Sequence, residues 1–293
     1  GDNAVERLRR DAVGSITTDV RGDTIRGTFG DLVLDDDNEV RYFEPAVICS
    51  GDPEASKKQL EVFARYAESD GGILENVMTF PPGLNVETGL VILKPDNFTR
   101  ASTHPGLIVD IFSRTGLYIV GAKLLKLRIE QGEKFYGHLY SVFAKKFRER
   151  VEGKLVRALD DAFGFTVPQQ RIEPMVDTLS ELNARHELNR IITYMTGYNP
   201  ELSDNEQPES GARCLGLLYR GENAITKIRE RLGPTNPTEA SPGTVRGEIG
   251  HDIMKNAAHA SDSVSNAEKE RKIIGMWEDD GSDIRGTIEG YLG

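Results

Sequence analysis

Asn256-Ala-Ala-His259-Ala-Ser261-Asp262-Ser263 is the stretch from which the rest of the chain can be read. It sets a histidine among small residues, which leaves one imidazole edge uncovered. Ser263 then offers an N-cap for a helical run over 266–277. A lone histidine is most often a satisfied structural residue. This one has company. Arg229, Thr235, Arg246 and Asn256 lie just upstream on a helix and a loop, and Lys94 follows an apolar run in Leu93-Lys94-Pro95-Asp96. Forked guanidinium donors combined with a lysine point charge can hold a polyphosphate while its terminal phosphorus faces a nucleophile. Singly, each would be an ordinary solvated charge.

The flanking sequence supplies the elements. Residues 88–93 read as a strand, Thr103 as a helix cap with Pro105 in the first turn, Gly116 as that helix's end and 117–125 as a second strand. Residues 130–147, 156–163 and 175–196 read as helical, and 203–211 as a polar loop. An apolar strand follows over 212–219, then a helix over 223–232 and a loop over 234–243 rich in Pro and Thr. Upstream, residues 1–30 suggest a helix with Val5, Leu8 and Ala12 on one side, then a loop, and 31–35 a short strand. Residues 40–50 are apolar enough for a buried strand. Asp52-Pro53-Glu54 starts a helix to about Ser69 with Leu60, Phe63, Ala64 and Ala67 on its inner face. Gly71-Gly72 and Pro81-Pro82-Gly83 punctuate the chain between the two parts.

Composition excludes several classes. The 293 residues are 38% hydrophobic and 28% charged, enough to bury a sizeable core. No apolar run of about 18 residues occurs and the N-terminus is polar, so neither a membrane span nor a signal peptide is read; a cytoplasmic location is the default expectation. A net charge of -11 opposes general nucleic-acid binding, so an anionic ligand must meet a local basic pocket. Cys49 and Cys214 are far apart and form no CxxC pair, which leaves no disulfide scaffold or cysteine metal site. His186-Glu187 lacks the second histidine of the zinc-protease helix, and His104, His138 and His251 have no chemical company.

The segment 256–263 resembles the active-site signature of nucleoside diphosphate kinases, Asn-x-x-His followed by Gly or Ala and Ser-Asp. Leu93-Lys94-Pro95-Asp96 is similar to the family's first-strand motif, Leu232-Gly-Pro-Thr-Asn-Pro237 to its substrate loop, and Pro242-Gly-Thr-Val-Arg246-Gly247 to the segment before the signature. The resemblance covers 86–144 and 211–278. It implies an α+β, ferredoxin-like βαββαβ kinase domain over 86–293, interrupted by a helical insertion at about 148–208. It further implies a ping-pong transfer of a γ-phosphoryl from a nucleoside triphosphate to a nucleoside diphosphate, with His259 as carrier. Lys94, Arg229, Thr235, Arg246 and Asn256 match positions that contact phosphates or sugar, and Tyr136 an aromatic position near the nucleophile. Glu270 matches the carboxylate that fixes the histidine tautomer, and Ser261 its neighbouring hydroxyl. Mg2+ is implied, bound mainly through the nucleotide phosphates, with no protein-only metal site. A homo-oligomer or an internal pseudo-dimer is implied too. A catalytically weak nucleotide-binding scaffold is the alternative, and the intact basic set weighs against it. The family's glycine after Lys-Pro-Asp is Asn97 here, and its base-stacking aromatic falls near Ala144, flanked by Phe143 and Phe147. The insertion reads as surface elaboration rather than a substrate lid.

Residues 2–9 align with 222–229, and Asp23-Thr-Ile-Arg26-Gly27 with Gly243-Thr-Val-Arg246-Gly247. After an acidic turn, Val47-Ile-Cys49-Ser-Gly-Asp52 falls opposite Ala257-Ala-His259-Ala-Ser-Asp262. Residues 1–80 therefore read as the C-terminal half of a degenerate second copy, with Cys49 at the nucleophile position and silent. That reading also leaves room for natural sequence upstream of Gly1.

Overall fold

The computed structural model describes residues 3–17, 20–66, 78–202, 211–277 and 284–293. The chain forms two units, 72–281 and 1–71 with 282–293. The expected loop at 203–211 and the Gly71-Gly72 break lie largely or wholly outside the described residues, as does Ala67.

The first unit holds α1 (Ala4–Arg7), continued by a π turn over Leu8–Val13, then α2 (Ile25–Phe29) and the hairpin of β1 (Asp31–Leu34) and β2 (Val40–Glu44). It closes with α3 (Pro53–Tyr66). The second unit runs β3 (Val86–Leu93), α4 (His104–Ser113), β4 (Tyr118–Lys126), α5 (Ile129–Tyr136), α6 (Leu139–Phe163), α7 (Gln169–Thr196), β5 (Arg213–Glu222), α8 (Ala224–Leu232), α9 (Val245–Ile249), β6 (Ala258–Ala260) and α10 (Val264–Ile274). A last helix, α11 (Ile284–Leu292), belongs to the first unit.

In the second unit the sheet order is β4-β5-β3-β6, every neighbour antiparallel. With one helix after β3 and one after β5, this is the ferredoxin-like βαββαβ arrangement. Strand β3 lies second from the edge and is covered on both faces, which explains its unbroken apolar run. Val91 and Leu93 join α4, α8 and α9 in one core, while Leu90 and Ile92 join α5, α7 and Ile274 in the other. All four side chains are fully buried, each contributing roughly 1.5–3 kcal/mol. The sheet therefore fixes the end of β3, where Lys94 sits, more firmly than any loop could.

The expected helices over 130–147 and 156–163 are one short helix, α5, and one long helix, α6, separated at Gly137-His138. Long α6 and α7 pair as a hairpin. Helix α7 buries Ile172, Val176, Ser180, Ala184, Leu188 and Ile192 at steps of four residues, and Gly164 (φ +70) ends α6 in the left-handed conformation that glycine adopts without strain.

Three readings of the N-terminal part need correction. The helix and loop expected over 1–30 also hold a second short helix, α2, and the first helix ends in a π turn. Residues 40–50 do not form a buried strand: β2 stops before Pro45, and each of its residues is exposed because nothing within the two-stranded ribbon covers it. On α3, Ala64 is buried but Phe63 is exposed.

A further point concerns register. Asn3 (φ 54) and Asn223 (φ 53) both enter a helix in the left-handed conformation. Those helices end at Gly14, whose amide donates to Arg9 O, and at Gly233, whose amide donates to Arg229 O. The π turn absorbs the one extra residue in the first helix. Thr24 and Thr244 cap α2 and α9 by accepting from Gly27 and Gly247. Arg26 donates to Val47 O, Arg246 to Ala258 O, and the preceding residues, Ala46 and Ala257, both have positive φ. Asp52 and Ser263 cap the next helices, and Ser50 donates to Gln59 just as Ser261 donates to Glu270, both at 2.5 Å. Counted from these shared bonds, Ile48 rather than Cys49 holds the place that His259 has in the second unit.

Candidate active site

His259 is the middle residue of β6, paired across to Ile92 of β3. The sequence reading had no strand there, because three residues are too few to show a period. The pairing sets the imidazole on the same sheet face as α5 and α10. Its Nε2 lies 3.0 Å from Glu270 Oε2, and Ser261 Oγ donates to that same oxygen at 2.5 Å. With Nε2–H donating to the carboxylate, Nδ1 keeps its lone pair. The edges of the Phe135 and Tyr136 rings close one side, with centroids 5.0 Å and 6.5 Å from the imidazole.

Lys94 follows β3 and donates to Asn256 Oδ1 at 2.6 Å and to Met254 O at 3.0 Å. Asn256 in turn donates to Thr235 O and Ile253 O, so one buried amide ties the lysine to both loops. Arg246 donates to Gly233 O and Ala258 O, leaving Nε buried and without a partner. Burial, then the Arg246 charge, lowers Lys94 to about 8. Burial, with Arg229 nearby, lowers Arg246 to about 10. Burial leads in both cases, with a neighbouring cation second, Arg246 for Lys94 and Arg229 for Arg246, so the cleft gathers positive charge.

Every residue singled out from the sequence, His259, Glu270, Ser261, Lys94, Tyr136, Arg229, Thr235, Arg246 and Asn256, lies at or directly behind this one site. Lys94, Tyr136, Thr235, Arg246, Asn256 and His259 line a cavity of about 1480 Å³. A second of about 550 Å³ shares Tyr136, Thr235, Arg246 and His259 and adds Arg229 and Glu270. Ser261 stands behind the histidine, buried. Tyr136 Oη is buried without a partner, and burial raises its pKa.

Sequence reasoning missed three contributors. Asp96, quoted in Lys-Pro-Asp without a role, accepts from Tyr194 Oη at 2.6 Å and from the Ala257 amide at 3.3 Å. Asn97, noted as a departure, donates to Lys94 O and Ala257 O and so clamps β3 to the strand of His259. The third is the α6–α7 hairpin. Phe143, Phe147 and Arg150 of α6 and Arg190 and Tyr194 of α7 line the larger cavity together with His259. The hairpin is thus a wall of the site and not merely surface elaboration. The rings of Phe143 and Phe147 stack at 5.5 Å, one turn apart. Among the described residues no cluster of three metal-ligating side chains occurs, and no helix is long and apolar enough to cross a membrane.

Fold and site together define an antiparallel α+β domain with an oriented histidine at the foot of a cation-lined cleft. Comparison with known proteins names the class more narrowly. Residues 206–277 match the family model for nucleoside diphosphate kinase. The nucleoside diphosphate kinase of Methanocaldococcus jannaschii is 28% identical over 188 residues, spanning 64% of this chain and 92% of the relative. Among solved structures, the nucleoside diphosphate kinase of Encephalitozoon cuniculi is 24% identical with a TM-score of 0.43, covering 71% of this chain and 99% of its own. The NDP kinase of Pyrobaculum aerophilum is 28% identical with a TM-score of 0.42, covering 64% and 94%. The chain is a relative of the nucleoside diphosphate kinases.

Proposed function

We propose that the chain is a nucleoside diphosphate kinase, moving the γ-phosphoryl of a nucleoside triphosphate to a nucleoside diphosphate through His259. The observation that carries this reading is the His259–Glu270–Ser261 arrangement opening on the cleft of Lys94, Arg246 and Asn256. In the first half-reaction the Nδ1 lone pair forms a bond to the γ-phosphorus as the bond to the β–γ bridging oxygen breaks and the diphosphate leaves. In the second, a terminal oxygen of the acceptor diphosphate attacks the same phosphorus and the P–N bond breaks. Glu270 holds the Nε2 proton throughout, so the imidazolium character that develops on phosphorylation stays neutralised. Lys94, Arg229 and Arg246 meet the phosphate charge, and Asn256 keeps Lys94 aimed. Mg2+ fits as a passenger of the nucleotide, since the carboxylates that line the site form no cluster of three metal-ligating groups among the described residues; when bound, it would neutralise phosphate charge.

The test is direct. Incubation with ATP and Mg2+ should leave an acid-labile, base-stable phosphate on His259, and His259→Ala should abolish both labelling and exchange. Full exchange in that variant would overturn the assignment. A folded variant that binds nucleotide, with native protein showing no exchange, would instead support the scaffold reading.

We also infer that residues 3–66 are the second half of a degenerate copy of the same fold. The shared caps, left-handed residues and side-chain bonds support it, and the two chemical positions are lost: Ile48 stands for His259 and Gln59 for Glu270. This part is silent in phosphotransfer, and mapping of phosphate after ATP treatment should find none between residues 3 and 66.

A further inference from the structure

Helix α6 presents two stripes to the cleft, each built on steps of four residues. Phe143, Phe147, Val151 and Leu155 form one, Lys146, Arg150 and Lys154 form the other, and all of them line the cavity that holds His259. Residues three and four apart are neighbours on a helix surface, so the stripes run side by side. Leu139, at the start of α6, lines both cavities at the histidine. At 1.5 Å per residue, Lys146, Arg150 and Lys154 stand about 10, 16 and 22 Å farther along the helix axis. Lys94, Arg229 and Arg246 already surround the histidine end. The three cations of α6 continue that positive charge away from it.

The protein itself does not answer this row. Among the described residues Lys146, Arg150 and Lys154 make no ion pair or hydrogen bond, whereas Arg148 of the same helix pairs with Asp177 of α7. Seven lysines and arginines line the cavity against two carboxylates, Glu187 and Asp252. Both carboxylates are engaged: Glu187 accepts from Arg190 at 3.0 Å, and Asp252 accepts from the amides of Met254 and Lys255 at 2.7 Å. Such a concentration stands out in a chain of net charge -11. Cations gathered along one cleft repel one another and focus their field into it, which an extended polyanion relieves. A mononucleotide carries its charge in the phosphates beside the histidine. Its neutral base suits the apolar stripe and leaves the cationic one unmet.

We propose that the cationic stripe seats linear inorganic polyphosphate, with the terminal phosphorus at His259, and that this polymer is a second phosphoryl donor. The inference rests on His259 being the phosphoryl carrier. No new group is needed for the step. The Nδ1 lone pair forms a bond to the terminal phosphorus, the bond from that phosphorus to its bridging oxygen breaks, and the polymer leaves one phosphate shorter with the electron pair on that oxygen. A terminal oxygen of a nucleoside diphosphate then attacks the phosphorus, the P–N bond breaks, and a nucleoside triphosphate leaves. Donor and acceptor use the site in turn, so one molecule need never fill both stripes.

The experiment gives the 293-residue chain ADP, Mg2+ and polyphosphate several tens of units long, and measures the ATP formed. Tripolyphosphate serves as the donor too short to span the stripe. The long donor should show at least tenfold higher kcat/KM than the short one. Lys146→Ala combined with Lys154→Ala should remove that advantage and leave ATP–GDP exchange unchanged, since both side chains are exposed on α6. Equal use of the two donors would overturn the proposal, as would an advantage that survives in the double variant. Polyphosphate that blocks ATP–GDP exchange without forming ATP would overturn the donor role. Native protein that exchanges ATP with GDP but makes no ATP from polyphosphate sinks this inference alone; native protein that does neither sinks the kinase reading with it.

Discussion

Lys94→Met gives the sharpest test of the site's electrostatics. In the folded chain Lys94 is lowered from 10.5 to about 8, by burial first and Arg246 second. That gap means the charged ammonium is destabilised in the fold by roughly 3 kcal/mol. The sign follows from proton counts. Between pH 8 and 10.5 the unfolded chain holds more protons than the folded one, so this group's contribution to stability rises with pH and its cost is largest below pH 8. Working through both titrations, the cost shrinks by roughly 1 kcal/mol between pH 7 and pH 9. Cys214, pushed up to about 12 by burial, acts in the opposite direction as its unfolded thiol ionises near pH 9, but it is present in both proteins. The native-minus-variant difference therefore reports the lysine together with its coupling to Cys214, whose thiol the Lys94 charge lowers. Urea unfolding followed by Trp277, the chain's one tryptophan, reports on the second unit, where its ring lies against Arg271 and Lys272. The native-minus-variant difference should rise by roughly 1 kcal/mol from pH 7 to pH 9. A flat difference would show that Lys94 titrates as an exposed lysine and would refute the electrostatic account of the cleft.

Other expectations follow from the same geometry. Glu270→Gln removes a charged acceptor shared by His259 and Ser261; at roughly 1.5–3 kcal/mol for such bonds, exchange should slow by about 10- to 150-fold, chiefly in kcat, and an unchanged kcat would contradict the orienting role. Phe147→Ala should raise the nucleotide KM roughly tenfold with kcat little changed, if ring stacking in the cleft contributes as it does elsewhere; equal constants would return the hairpin to surface elaboration. Gly164→Ala places a side chain at φ +70 where its Cβ meets open space, so the cost, about 1–2 kcal/mol, is purely conformational and should appear in unfolding but not in exchange.

The second unit was legible because its signals were dense and local. Residues 88–93 announce a strand buried on both faces, Thr103 and Gly116 bracket α4, and the spacing of Lys94, Arg246, Asn256 and His259 carries the site. What stayed hidden was long-range. Residue Ile92 is the cross-strand partner of His259, yet 167 positions of sequence separate them in chain order (259 minus 92), and no local period reveals a three-residue strand. Asp96 was visible as a residue but not as an acceptor, because its donor, Tyr194, lies on the inserted hairpin. The N-terminal register slipped by one for a similar reason: short matches fix order, but only the hydrogen bonds of Arg26, Ser50 and Asp52 fix which residue faces which. Phe63 read as core because its spacing is helical, and spacing alone does not say whether anything lies opposite.

The bond from Tyr194 to Asp96 also bears on how the histidine is held. It joins the C-terminal end of α7 to the turn that carries Lys94, and burial together with this bond raises the tyrosine's pKa, so the phenol stays a donor. Swinging that end of the hairpin outward would strip the acceptor from a half-buried hydroxyl and pull on the backbone of Ala257 next to β6. The opposite end, near Gly164, has no such tether to the sheet. Asp96 therefore ties to one carboxylate the C-terminal end of the hairpin and Ala257, the residue beside β6 and two residues from His259 in the chain.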